Sequence, residues 1–173
     1  MTRRRQVVSV LVVAIAAAAA GYGTRLWHES GSDRSAGALM AVRLADVEGR
    51  QQPLDQWRGK VLVVNFWATW CEPCREEIPA FVRLQDKYRT RGVQFVGIAI
   101  DQRDKVQTFV RQFEINYPIL VGGIDAIDIS RQSGNRVGGL PFTVVLDRHG
   151  QIVGRELGKA SEERLEALFR SLL

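Results

Sequence analysis

The chain has 173 residues, with 24 Lys and Arg against 19 Asp and Glu and a formal net charge of +5, which suits one domain with a sizeable core and requires no second. Arg3, Arg4, Arg5, Arg25 and Arg34 against Glu29 and Asp33 put +3 of that charge before residue 39. The body keeps only +2, which excludes the basic footprint of a nucleic-acid-binding protein.

The cluster Thr2-Arg3-Arg4-Arg5 precedes an uncharged stretch from Gln6 to Thr24, rich in Val and Ala. It is apolar all round and leads into a polar segment, His28 to Gly37, so it reads as an export signal and not as a buried core helix. As a helix it would rise about 28 Å at roughly 1.5 Å per residue, close to the ~30 Å hydrocarbon core, with Arg25 able to snorkel outward. Val7 to Ala17 also suits a signal-peptide core, and Ala18-Ala19-Ala20 supplies small residues for a peptidase. The reading is therefore a signal anchor or signal peptide over 1–24, a polar linker over 25–38 and a folded domain over 39–173. Positive residues stay inside, so the domain is expected on the far side of the membrane.

The segment Ala41 to Gln56 predicts a short hairpin, with Val42, Leu44 and Val47 alternating with polar neighbours and a turn at Glu48-Gly49-Arg50. Val61 to Ala68 and Phe95 to Ile100 are continuous apolar runs, the mark of parallel strands buried on both faces. Between them Ile78, Phe81, Val82, Leu84 and Tyr88 recur at helical spacing, giving a right-handed βαβ unit. Val106, Phe109, Val110 and Phe113 predict a second helix. Pro118 to Val121 reads as a short strand, Ile124 to Gln132 as a helix and Ser133 to Gly139 as a loop. Phe142 to Leu146 and Ile152 to Leu157 flank Asp147-Arg148-His149-Gly150 and predict a second hairpin. Ser161 then caps a last helix carrying Leu165, Leu168, Phe169 and Leu172 on one face.

The only two cysteines stand in Trp70-Cys71-Glu72-Pro73-Cys74, between the first apolar strand and the first helix. A thiol at that turn faces the positive end of the helix dipole, which favours the thiolate, the form that attacks disulfides. A structural bridge over so short a span would remove little loop entropy. A zinc site lacks ligands, because His28 and His149 lie in a linker and a turn. Glu72 repels a thiolate at Cys71, and Pro73 deletes an N–H from the first turn; both favour a reductant. Glu77 follows Cys74 on the same helical face, whereas Glu76 points away from it. Trp70 is expected as a contact surface, Trp67 and Phe66 as core, and Pro79 as a kink in the helix.

The run Asn65-Phe66-Trp67-Ala68-Thr69-Trp70-Cys71-Glu72-Pro73-Cys74-Arg75-Glu76-Glu77-Ile78-Pro79 closely resembles the TlpA- and ResA-like branch of the thioredoxin superfamily. Arg58-Gly59-Lys60 and Gly139-Leu140-Pro141-Phe142-Thr143 resemble it too, and the resemblance covers about residues 40 to 173. It implies an α/β, thioredoxin-like fold: a central mixed sheet flanked by helices, with an N-terminal β-hairpin and an insert before the cis-Pro hairpin. It also implies Cys71 as the more exposed nucleophile, Cys74 as the resolving thiol and Glu77 as an active-site acid. Where classical thioredoxins carry a buried aspartate this chain has Asn65, which cannot titrate, so Glu77 is the candidate to take the proton from Cys74. A cis bond before Pro141 would set Leu140 beside the dithiol with its backbone free to pair with an extended substrate.

The expected activity is that of a membrane-anchored, extracytoplasmic reductant of protein disulfides. No cofactor or metal is called for. The implied partners are disulfide-bearing exported proteins, apocytochrome c among them, a membrane thiol-disulfide electron donor, and the membrane itself through the anchor. Two alternatives are a thioredoxin-fold peroxidase and a non-enzymatic chain-binding protein. Peroxiredoxins place a threonine three residues before the reactive cysteine, where this chain has Ala68, and the intact dithiol weighs against a mere binder.

Overall fold

The computed structural model describes residues 34–173. The leader over 1–24 and residues 25–33 of the linker lie outside the described residues, and among the described residues no helix is long and apolar enough to cross a membrane.

The elements of the domain are β1 (Arg43–Asp46), β2 (Gln51–Pro53), β3 (Val61–Trp67), α1 (Glu72–Tyr88), β4 (Val93–Ala99), α2 (Arg103–Gln112), β5 (Ile119–Val121), α3 (Ala126–Gln132), β6 (Phe142–Leu146), β7 (Ile152–Leu157) and α4 (Glu162–Leu172). Short 3-10 turns occupy Leu54–Trp57 and Arg89–Arg91. One seven-stranded sheet runs in the order β2-β1-β5-β4-β3-β6-β7. The pairs β3/β4 and β4/β5 are parallel and the others antiparallel. This is the thioredoxin-like arrangement that the sequence predicted.

The period of two along β3 divides the core. Val61, Val63 and Trp67 face a layer of residues from α1, α2 and α4, including Ile78, Phe81, Val106, Phe109, Leu165 and Phe169. Leu62, Val64 and Phe66 face the opposite layer, with Leu54 from the 3-10 turn, Ala126 of α3 and the helical residues Ala36, Leu39 and Met40. With both faces covered, every β3 side chain must be buried, which is why its sequence is apolar throughout apart from Asn65. Strand β7 has one neighbour, and after buried Ile152 its residues alternate exposed with half-buried.

Two expectations need correction. The folded unit begins at Ser35, not at residue 39, because Ala36, Leu39 and Met40 form a helical stripe that packs onto the sheet. In the first hairpin Val42, Leu44 and Val47 pack half-buried against the core as the alternation predicted, but Asp46, one of their polar neighbours, is buried as well. The Asp46 carboxylate accepts hydrogen bonds from the Glu48 and Arg50 N–H groups (3.0 and 2.8 Å), from Arg50 Nε (3.0 Å) and from Gln52 Nε2 (2.9 Å). It organises the hairpin turn, so its burial is compensated. Pro79 lies inside α1, which continues on both sides of it; having no N–H, it leaves the Arg75 carbonyl without a helical donor.

Gly97 of β4 is required by close approach. A Cβ there would lie 2.5 Å from Ile119 Cδ1 and 2.8 Å from Trp67 Nε1. Gly97→Ala is expected to cost about 1–3 kcal/mol by overpacking, read as a lower urea midpoint; an unchanged midpoint would mean that this layer has slack.

Candidate active site

Strand β3 delivers the chain to the mouth of α1. Cys71 is the N-cap, with φ −87° and ψ 105°. Its N–H donates to the Ala68 carbonyl (3.2 Å), and its carbonyl accepts the Arg75 N–H (3.2 Å). Pro73 takes a first-turn position, where its missing N–H costs no helical bond. Cys71 therefore stands at the positive end of the helix dipole, although its side chain accepts no capping hydrogen bond. Cys71 and Cys74 are joined as a disulfide. Cys71 keeps 5% of its surface and Cys74 none, so an incoming thiol or disulfide can reach only Cys71.

Glu77 lies one turn beyond Cys74 and is 1% exposed. Its Oε1 accepts from Asn65 Nδ2 (2.8 Å) and its Oε2 from the Ala160 N–H (2.9 Å). Asn65 Nδ2 also donates to Thr143 Oγ1 (3.1 Å), the residue paired with it across β3 and β6. Burial pushes the Glu77 carboxyl up from 4.5 to about 7, against the opposing hydrogen bonds from Ala160 and Asn65. A carboxyl of that pKa can hold or give up a proton near neutrality.

A groove of about 710 Å³ opens beside Cys71, lined on one side by Trp70 and Pro73 and on the other by Ile124, Ile127 and Leu140. Trp70 is 68% exposed and Ile124 75%, so the rim presents apolar surface to solvent. The peptide bond between Leu140 and Pro141 is cis. Among the described residues the Leu140 N–H and C=O take no backbone partner. Asp101 closes one end of the groove; its nearly buried carboxylate accepts from Thr69 Oγ1 and from the Gln102 N–H (2.7 Å). It thereby ties down the loop that carries Trp70 and Cys71.

A family model described as Redoxin matches residues 34–169. The chain belongs to the redoxin family. It is 32% identical over 132 residues to the thiol-disulfide oxidoreductase ResA of Bacillus anthracis, covering 75% of this chain and 73% of that one. A ResA from Bacillus cereus (strain ATCC 10987 / NRS 248) is 28% identical over 177 residues, 99% of each chain. Among solved structures, a thioredoxin-family thiol:disulfide interchange protein from Chlorobium tepidum TLS superposes with a TM-score of 0.68 at 30% identity, over 76% of this chain and 92% of that one. This redoxin is a thiol-disulfide oxidoreductase of the thioredoxin and ResA kind, and Cys71 and Cys74 are its cysteine pair.

The residues singled out from the redoxin's sequence divide in two. Trp70, Cys71, Pro73 and Leu140 line the groove, with Cys74 and Glu77 buried behind them. Glu72 and Pro141 do not line it: Glu72 points into solvent, its carboxylate 3.6 Å from Arg75 Nη1, and Pro141 is buried. Trp67 and Phe66 are core, on opposite faces of the sheet. Asp101, Ile124, Ile127 and the Ala160 N–H were not anticipated. Asp101 could have been found by its place just past the carboxyl end of a parallel strand, where open α/β sheets put their sites.

Proposed function

We propose that this oxidoreductase works as an extracytoplasmic reductant of protein disulfides, held at the membrane by its leader. The observation that carries the reading is the placement of Cys71 alone at the surface, at a helix N-terminus and on an apolar groove, with Cys74 and Glu77 buried behind it. The Cys71 thiolate attacks one sulfur of a substrate disulfide and expels the other as a thiolate, leaving a mixed disulfide. Glu77 takes the Cys74 proton, and Cys74 attacks Cys71 Sγ. The Cys71–Cys74 bond forms, the second substrate thiolate leaves, and two electrons have passed from the dithiol to the substrate. A membrane thiol-disulfide donor then restores the dithiol.

The groove suits an extended polypeptide, with Trp70 and Leu140 flanking the attacked sulfur and the Leu140 backbone groups available for strand addition. Exported apocytochrome c is the substrate that the resemblance to the TlpA- and ResA-like branch implies. The leader's basic start and apolar stretch support export, with the domain on the outer side.

Glu72 supports the reducing direction, because an exposed carboxylate beside Cys71 disfavours its thiolate. Equilibration with glutathione or dithiothreitol should give a potential well below the ~ −120 mV of the oxidant DsbA. Glu72→His should raise it by tens of millivolts, since about 30 mV corresponds to ~1.4 kcal/mol for this two-electron couple. A wild-type value matching DsbA would defeat the reductant assignment.

A further inference from the structure

We propose that the end of the domain opposite the dithiol is a docking surface for bilayers rich in anionic phospholipid. Strand β3 runs from Val61 to Trp67, about 23 Å at ~3.3 Å per residue, so residues bordering its start lie far from Cys71. Arg58 and Lys60 stand there, just before β3. Arg89 and Arg91 lie in the turn before β4, and Arg148 lies in the turn between β6 and β7. All five are exposed.

Backbone contacts gather them into one patch. The Gly59 N–H donates to the Arg148 carbonyl (3.1 Å) and the Val61 N–H to the Gly92 carbonyl (2.9 Å). Arg58 Nη1 donates to the His149 carbonyl (3.2 Å), and a Cβ on Gly92 would lie 3.6 Å from Arg148 Nη2. Elsewhere among the described residues Arg50, Arg75, Arg83, Lys87, Lys105, Arg131, Lys159, Arg164 and Arg170 pair with carboxylates, while Arg43, Arg103, Arg111, Arg136 and Arg155, on other elements, do not. Among the described residues none of the five forms an ion pair. Three acids border the patch: Asp147 spends its Oδ1 on the His149 and Gln151 N–H groups of its own turn, while Asp55, three residues before Arg58, and Asp86, three before Arg89, are exposed and form no ion pair with the five. Arg91 stacks over the Tyr88 ring (4.9 Å), and Lys60 Nζ reaches Gln94 Oε1 (3.3 Å); neither contact neutralises charge.

A body with a net charge of only +2 thus gathers five cations outside ion pairs at one pole. Such a surface complements a layer of phosphate headgroups, and the choice of a bilayer over another polyanion rests on the membrane-tethered reading above. Docked this way, the domain would present Cys71 and its groove away from the lipid, towards soluble substrates. Each basic side chain near an anionic bilayer is worth about 1 kcal/mol, or roughly fivefold in affinity, so removing three should weaken docking about 100-fold.

The test uses the full chain in nanodiscs of phosphatidylcholine alone or with about a third phosphatidylglycerol. Lys60 acetylation is followed by mass spectrometry, with Lys105, near the other end, as internal reference. Lys60 should be protected at least about tenfold in the anionic discs only. Protection should vanish at about 0.5 M salt, where screening is short-ranged, and in the triple variant Arg58→Gln, Arg89→Gln, Arg148→Gln, whose reductase activity should be unchanged. Equal Lys60 reactivity in both discs would overturn the proposal, as would protection that survives the triple substitution or equally tight binding to duplex DNA. If the chain instead elutes free of lipid, the tether reading fails. Sedimentation with phosphatidylglycerol vesicles then decides docking separately: binding lost in the triple variant supports it, and no binding overturns it.

Discussion

Cys71→Ser is expected to reduce protein disulfides no faster than the uncatalysed background, and to form no mixed disulfide. Cys71 is the one residue of the pair that keeps any exposed surface, and a serine hydroxyl there has no thiolate form to attack with. Cys74→Ser should fail differently. Its Cys71 still sits at the helix N-terminus and still attacks, but nothing resolves the product, so substrate proteins accumulate on Cys71 and are released by dithiothreitol. Non-reducing electrophoresis followed by mass spectrometry of the adducts separates the two outcomes. Wild-type activity in both variants would show that the bond between these cysteines is structural.

Glu77 should make the fold itself sensitive to pH. Its carboxyl stands at about 7 in the folded chain against an ordinary 4.5, so the native state holds the proton more tightly than the unfolded one. Below about pH 4.5 both states are protonated and the group contributes nothing. As pH rises to 7 the unfolded chain ionises first, and stability falls by up to about 3 kcal/mol, remaining low at higher pH. Glu77→Gln should abolish that slope in urea titrations between pH 5 and 8. It should also carry a pH-independent cost of about 1–3 kcal/mol, because its Nε2 must face either the Asn65 amide or the Ala160 N–H, both of them donors. Turnover should slow at the resolving step more than at the first attack, and the inflection near pH 7 in thiol alkylation should disappear. A variant with the wild-type slope and rate would show that another group handles the Cys74 proton.

Much of this was legible because the chemistry is local. Spacing alone puts Cys71 at the start of the helix and Cys74 and Glu77 on one of its faces, and the apolar run of β3 announces a strand buried on both sides. The partners of Glu77 were less accessible. Asn65 lies in the strand beneath the helix, but the Ala160 N–H is donated from the segment between β7 and α4, at a sequence distance no periodicity bridges. For the same reason the full burial of Glu77 was not legible from its helix position. Asp46 misled in the opposite direction: a charged residue reads as exposed until the donors that surround it are known. The wall formed by Ile124 and Ile127 depends on how the insert after β5 folds back towards Trp70, a tertiary placement that a short helix does not encode by itself. The helical stripe of Ala36, Leu39 and Met40 was present in the sequence, but within a segment whose polar residues suggested a linker.

The central claim is that electrons leave this protein through one dithiol, and it is tested most directly by stoichiometry. Chain fully reduced with dithiothreitol and freed of it is mixed with excess oxidised insulin, quenched with acid and alkylated, and both proteins are weighed by mass spectrometry. One insulin disulfide should open for each Cys71–Cys74 bond that forms, with mixed disulfides at Cys71 alone at early times. Insulin opened without formation of that bond, or a reduced chain that leaves insulin intact, would contradict it.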